Sequence, residues 1–280
     1  MRIASVTING RATYGVVDQD AIKVASAATL AQYPDLRSAI AAVGVAELPA
    51  LLSDSHALSE VTYLPVIPNP DKIFCIGINY ASHIAETGRP LPEKPVVFMR
   101  YANSQVGAGQ PIIRPLDSTQ LDYEGELAVV IGRAGRRIAA SEALNHVAGY
   151  ACYNDGSVRD FQRHSSQFGP GKNFPSTGGF GPWMVTTDEI TDPASLTLQT
   201  RLNGQVMQEA PISDLVFDVQ ALIAYCSTFT ELVPGDVIVT GTTGGVGLFR
   251  DPPVFMKDGD VVEVQISGIG TLVNPVRDER

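Results

Sequence analysis

Beyond residue 71 the chain is a succession of short β-branched runs: KIFCIGI, PVVFM, ELAVVIG, HVAGYAC, PWMVTT, LTLQTRLNG, DVIVTGT and VVEVQISGIG, each stopped by glycine or proline. Runs of this length and composition form strands. Only three stretches there read as helical: Tyr80 to Thr87, part of Ser157 to His164, and Ser213 to Thr228. Regular alternation of strand and helix is missing, which disfavours a Rossmann fold or a βα-barrel. The expected class is α+β and β-rich.

The first 25 residues alternate as RIASVTI, ATYGVVD and AIKVA, with Asn9-Gly10 supplying the positive φ angles of a tight hairpin. Helical spacing follows between Leu36 and Leu52. Pro65, Pro68 and Pro70 then hold YLPVIPNPDK extended. A boundary there gives a small N-terminal domain over 1–66, of antiparallel strands plus a helix, and a larger domain over 71–280.

A formal net charge of -10 with no Lys/Arg cluster offers nothing to a polyanion, so no nucleic-acid partner is expected. No apolar run reaches about 18 residues, the length that argues for a membrane span. Cys75, Cys152 and Cys226 are widely spaced and form no C-x-x-C pair, which suits reduced, buried thiols. Together with the lack of an apolar leader in MRIASVTING, this gives the expectation of a cytoplasmic protein.

Chemistry concentrates in four stretches. In LDYEGELAVVIG, Asp122, Glu124 and Glu126 alternate, so an extended chain presents them on one face. Glu124 and Glu126 at i and i+2 have Cβ atoms roughly 7 Å apart, close enough for one cation to bridge. Asp155, in CYNDGSVRD, can add a third oxygen, and an all-oxygen set suits Mg²⁺, Mn²⁺ or Ca²⁺. The same pattern also describes a solvated acidic strand edge. Asp122 is expected outside the ligand set, either behind it or at the surface.

GINYASHIAETG sets His83 and Glu86 on one face of a short helix, with Asn79 or Ser82 as cap and Gly88 as stop. A carboxylate beside an imidazole orients it as a base; a surface ion pair has the same spacing. The run NDGSVRDFQRHSSQFGPGKNF gathers Arg159, Gln162 and Lys172, the lysine facing either a developing oxyanion or solvent. His56, His146 and His164 read as surface residues. PGDVIVTGTTGGVG offers amides and the Thr242 and Thr243 hydroxyls as a nest for a carboxylate, or serves only as a glycine-rich turn. It fits neither a dinucleotide fingerprint nor a P-loop, and no G-x-S-x-G elbow occurs.

The order GINYASHIAE, DYEGELAVVIG, YNDGSVRDFQ, GPGKNF with GGFGPWMV, NG and PGDVIVTGTTGGVG resembles the fumarylacetoacetate hydrolase family over Lys72 to Val276. The resemblance implies a mixed β-roll catalytic domain behind a small accessory domain, assembled as a homodimer. It implies one Mg²⁺ or Mn²⁺ per subunit on Glu124, Glu126 and Asp155, a His83–Glu86 dyad on a lid helix, and Lys172 as the active-site lysine. Arg159 and Gln162 match the polar residues after the metal aspartate, and Thr242 matches the threonine that meets the substrate carboxylate. The activity implied is cleavage of a C–C bond in a fumarylpyruvate-like acylpyruvate, giving pyruvate and a carboxylic acid through an enolate. The alternatives on the same fold are oxaloacetate decarboxylation and 2-hydroxydienoate tautomerisation, or a protein that binds metal without catalysis. The substrate would be a small 2-keto acid.

Departures from the family pattern are Gly156 after the aspartate, RHSSQFGP before the lysine, KNFPS after it, and Arg100-Tyr101 for the usual Lys-Pro. They are expected to line or border the pocket.

Overall fold

The computed structural model describes residues 1–88 and 90–280. Two sheets organise it. The larger runs, in spatial order, through Leu52–Ala57, Ala21–Ala25, Arg11–Asp18, Arg2–Ile8, Gly178–Thr186, Val147–Asn154, Gly125–Ile131, Val237–Thr242, Ile73–Gly77 and Val96–Arg100. The smaller runs through Gln205–Pro211, Thr197–Leu202, Val261–Ile266, Gly270–Asp278 and Ile112–Arg114. The fold is α+β and strand-rich, as the β-branched runs require.

The N-terminal strands continue the large sheet, because Arg2 and Ile3 pair antiparallel with Val185 and Met184. Their hairpin turns at Asn9 and Gly10, with φ of 49° and 78°, and registers Ile8 against Arg11. The helix after them spans Leu36–Val43 only. Gly44, at φ +75°, ends it, and Pro49 admits just a 3-10 turn before the chain becomes the edge strand Leu52–Ala57. The sequence pattern had extended that helix to Leu52. Likewise the later helix is Val219–Phe229, because the Asp218 carboxylate accepts the Ala221 amide and caps it there, several residues after Ser213.

Gly125–Ile131, which carries Glu126, lies in the middle of the large sheet and is buried along its whole length. Period-two alternation divides it between two cores. Leu127, Val129 and Ile131 pack with Leu198, Val264 and Ile266 of the smaller sheet and with Leu222 and Ile223 of the Val219–Phe229 helix. Ala128 and Val130 pack with Leu36, Ala39 and Ile40 on the opposite face. Losing one of these aliphatic side chains costs about 2–5 kcal/mol, so the strand is a rigid mount for what it carries. Among the described residues no helix is long and apolar enough to cross a membrane.

Candidate active site

The acidic strand enters the site through a steric requirement. A Cβ on Gly125 would fall 2.0 Å from Thr200 Oγ1 of the smaller sheet, so only glycine lets the two sheets meet between Glu124 and Glu126. Antiparallel pairing sets Gly125 against Asn154, and the Asp155 amide donates to the Glu124 carbonyl at 2.8 Å. That pairing brings Asp155 to the two glutamates across 29 residues of chain. Carboxylate oxygens of Glu124, Glu126 and Asp155 lie within 4.8 Å of one another, all buried. The strand is central, so the solvated-edge alternative is excluded.

Burying like charges demands compensation. Lys172 Nζ donates to Glu124 Oε2 at 2.5 Å and to Asp155 Oδ2 at 2.6 Å. Arg159 Nη1 meets Glu124 Oε1 at 2.6 Å, and Arg100 Nη1 donates to Asp155 Oδ1 at 2.6 Å. Glu126 Oε2 has a neutral partner, the Gly241 amide at 2.5 Å. Gly241 adopts φ +112°, and a Cβ there would meet Asn79 Cβ at 2.8 Å, so that amide too depends on glycine.

The balance among these groups explains their ionisation. Burial works against ionised Glu124, but Arg159 and Lys172 outweigh it and hold the carboxyl at about 2. Burial, reinforced by Asp155 and Glu124, pushes Glu126 well above the usual carboxylate range. Asp122, Glu124 and Asp155 each meet Arg100, Arg159 or Lys172 directly, whereas Glu126 is held by a neutral backbone amide. A divalent cation fits this donor set: three hard oxygen ligands, converging, with negative charge left to neutralise.

The carboxylates floor a cleft of about 610 Å³, also lined by His83, Phe98, Arg159, Gln162, Lys172, Thr242 and Phe249. His83, on the helix Ala81–Thr87, sets Nδ1 3.1 Å from Glu86 Oε2, while Glu86 Oε1 accepts the Gly245 amide at 3.0 Å. With the Nδ1 proton directed to Glu86, Nε2 is the basic atom. The helix has Tyr80 at its N-cap position and no side-chain cap; Asn79 is engaged instead with Phe217 and with the Thr240 carbonyl. Its root is thereby tied to the strand Val237–Thr242.

The structure thus brings together all nine residues singled out as catalytic, binding or ligating. Two have particular partners. Gln162 Oε1 accepts from Arg159 Nη1 at 2.9 Å. The Thr242 hydroxyl donates to the Gly125 carbonyl at 3.0 Å and accepts from Gln208 at 2.7 Å, so its oxygen is engaged by the protein on both sides. Lys172 is 1% exposed, which excludes the solvent-facing alternative.

Asp122 takes the first of its two expected places, behind the ligand set, while Arg100 and Gln208 depart from or escape the sequence reading. Asp122 is fully buried: Oδ1 accepts the Tyr123 and Gly247 amides, and Oδ2 accepts Leu248 N and Arg159 Nε. It ties the acidic segment to the turn bearing Phe249, whose ring centroid lies 6.2 Å from that of His83. Arg100 was expected at the pocket border but lies behind Asp155, away from the cleft lining, while Tyr101 is exposed. Gln208 went unread, because the bulge at Met207 in Gln205–Pro211 breaks the alternation and turns it inward. There Gln208 accepts the Gly125 amide at 3.0 Å and donates to Thr242 and Thr243.

A family model described as "Fumarylacetoacetate (FAA) hydrolase C-terminal" matches residues 72–277. The mitochondrial oxaloacetate tautomerase FAHD2A of Bos taurus is 40% identical over 268 residues, covering 94% of this chain and 84% of the relative. The fumarylacetoacetate hydrolase of psychrophilic Exiguobacterium antarcticum superposes with TM-score 0.86 at 36% identity, covering 100% of both chains. Maleylpyruvate hydrolase from Sphingobium sp. SYK-6, solved with manganese(II) and pyruvate, superposes with TM-score 0.80 at 30% identity, again over 100% of both chains. The mitochondrial relative overturns the expected cytoplasmic location. Cys75, Cys152 and Cys226 are buried and unpaired, which does not distinguish the cytoplasm from other compartments.

Proposed function

The chain belongs to the fumarylacetoacetate hydrolase family, and on that premise we propose that it is a metal-dependent enzyme interconverting the enol and keto forms of a 2-oxo dicarboxylic acid of the oxaloacetate type. The observation that carries this reading is a relative named an oxaloacetate tautomerase, 40% identical over 94% of the chain. The acylpyruvate hydrolysis expected from motif order becomes the second reading, favoured by the likeness to maleylpyruvate hydrolase at 30% identity.

Ketonisation removes a proton from the 2-hydroxyl and adds one at C3; the reverse reaction takes the C3 proton. His83 Nε2, with Glu86 fixing the other ring nitrogen, is the group we assign to the proton at C3. A divalent cation on Glu124, Glu126 and Asp155 would supply Lewis-acid charge for the 2-oxygen. The Lys172 ammonium, held on two of the same carboxylates, adds positive charge on that side. Arg159 Nη2 is buried without a protein partner among the described residues, and a substrate carboxylate would satisfy it. Gln162 orients that guanidinium through Nη1, and Thr242 shapes the adjoining wall. Phe98 and Phe249 give the same cleft part of its apolar lining. The homodimer is part of the same proposal, tested by light scattering after size exclusion.

The deciding experiment supplies enol oxaloacetate with Mg²⁺ or Mn²⁺ and follows enol absorbance and pyruvate separately. Faster decay of the enol without pyruvate is expected. No metal-dependent acceleration refutes the tautomerase, and pyruvate plus a carboxylic acid from acylpyruvates alone would establish hydrolysis instead.

A further inference from the structure

Besides the oxygens that Lys172 meets on Glu124 and Asp155, each carboxylate of the triad has one oxygen held by another donor. Arg159 holds Glu124 Oε1, the Gly241 amide holds Glu126 Oε2, and Arg100 holds Asp155 Oδ1. The Arg100 hold is over-determined. Its Nε donates to Ser104 Oγ at 3.2 Å, Nη1 also donates to the Gly156 carbonyl at 2.9 Å, and Nη2 donates to Thr177 Oγ1 at 2.9 Å and the Ser104 carbonyl at 3.4 Å. All five guanidinium N–H bonds thus have acceptors, and the side chain is fully buried. Asp155 Oδ2, by contrast, meets Lys172, which stands in the cleft wall.

We propose that Arg100 is a positioning residue that restricts Asp155 to one-oxygen ligation and so biases the centre toward small octahedral divalent cations and against calcium. The inference rests on reading the triad as a cation site. Calcium takes six to eight oxygens and readily uses both oxygens of a carboxylate, whereas Mg²⁺ holds six in near-ideal octahedral geometry and keeps several waters. A guanidinium whose Nη1 is fixed on Oδ1, its plane set by four other hydrogen bonds, disfavours the two-oxygen option. A lone charge at the same place would weaken every divalent cation alike; the clamp distinguishes between cations.

The test uses full-length, chelator-stripped protein. Mn²⁺ is titrated with free Mn²⁺ read by electron paramagnetic resonance, and Ca²⁺ is measured by competition. Mn²⁺ and Ca²⁺ carry equal charge, so deleting the Arg100 charge shifts both affinities together and their ratio reads geometry. Wild type is expected to bind Mn²⁺ at least about tenfold more tightly than Ca²⁺, and Arg100→Gln to lower that ratio by about 10–100-fold, the usual effect of removing a partner that orients a ligand. An unchanged ratio in Arg100→Gln overturns the proposal, whatever the absolute affinities do. Should that variant fail to fold by circular dichroism, Thr177→Val, which strips one acceptor from the fork, carries the test. A ratio lowered about threefold or more supports the clamp, and a smaller change overturns it. Wild type that binds neither cation refutes the cation site itself, a result distinct from loss of discrimination.

Discussion

Replacing Lys172 by methionine keeps most of the side chain's length and removes an ammonium lying 2.5 Å from Glu124 and 2.6 Å from Asp155. Removing one partner of a buried ion pair costs about 3–5 kcal/mol, because the other charge stays in a medium that solvates it poorly. With an unfolding entropy of about 2.1 cal/mol/K per residue, that loss lowers Tm by about 5–9 °C in EDTA for a chain of this length. The deficit should grow with pH. Glu126, which burial already raises well above the usual carboxylate range, loses the Lys172 charge that opposes that rise, so stability falls further as pH rises through its folded pKa. A divalent cation stabilises each protein by RT ln(1 + [L]/Kd), and the variant, freed of the competing ammonium, should bind it more tightly; each tenfold gain over wild type shrinks the deficit by about 1.4 kcal/mol. Thermal unfolding of both proteins at pH 6 and 8, in EDTA and in Mg²⁺, measures all of this. Equal Tm values in EDTA, or a deficit that Mg²⁺ leaves untouched, would refute the picture of lysine and cation serving the same carboxylates.

Other perturbations separate the remaining roles. Glu126→Gln replaces the carboxylate that burial raises well above its usual range. Because ionising it opposes folding, the variant should gain stability over wild type in EDTA as pH rises, lose that gain toward acid, and bind no Mn²⁺. Glu124, held at about 2, contributes stability that is complete above its unfolded value of 4.5 and disappears as pH falls toward 2. Glu124→Gln should therefore flatten the acid limb of the apo stability profile over that window. His83→Ala should slow turnover by about 10²–10⁴-fold while leaving Mn²⁺ binding within about threefold, as expected of a proton-transfer group that is no ligand. Asp122→Asn sets an amide NH₂ against the Arg159 and Leu248 donors, costing about 1–3 kcal/mol. Since the segment it anchors lines the cleft, KM should rise by a larger factor than kcat falls.

Much of the site is legible from local rules. An extended chain puts Glu124 and Glu126 on one face and a helical turn pairs His83 with Glu86, whereas placing Asp155 and Lys172 beside them took the family resemblance that the order of the motifs carries. What stayed hidden depends on contacts across the sheets. Arg100 and Asp122 both stand out in the sequence, but their burial becomes evident only when Asp155 and Arg159 arrive from 55 and 37 residues away. Gln208 sits in a strand whose bulge no pattern announces. The helix expected to run to Leu52 failed for a local reason, the positive φ at Gly44 followed by Pro49. Substrate identity was the least legible, since hydrolase and tautomerase share every residue that the motifs specify.

The cleft has two kinds of wall. Glu126 and Thr242 ride on central strands buried on both sides, whereas Arg163, Ser165, Ser166 and Phe168 come from a single stretch that is mostly exposed. A lineage can therefore rewrite that stretch at little risk to folding while inheriting the inorganic half unchanged. This division of labour suits a scaffold whose relatives bear the names of hydrolases and tautomerases alike. It also marks residues 163–168 as the place to begin redesigning selectivity, since substitutions there leave the load on the central strands undisturbed.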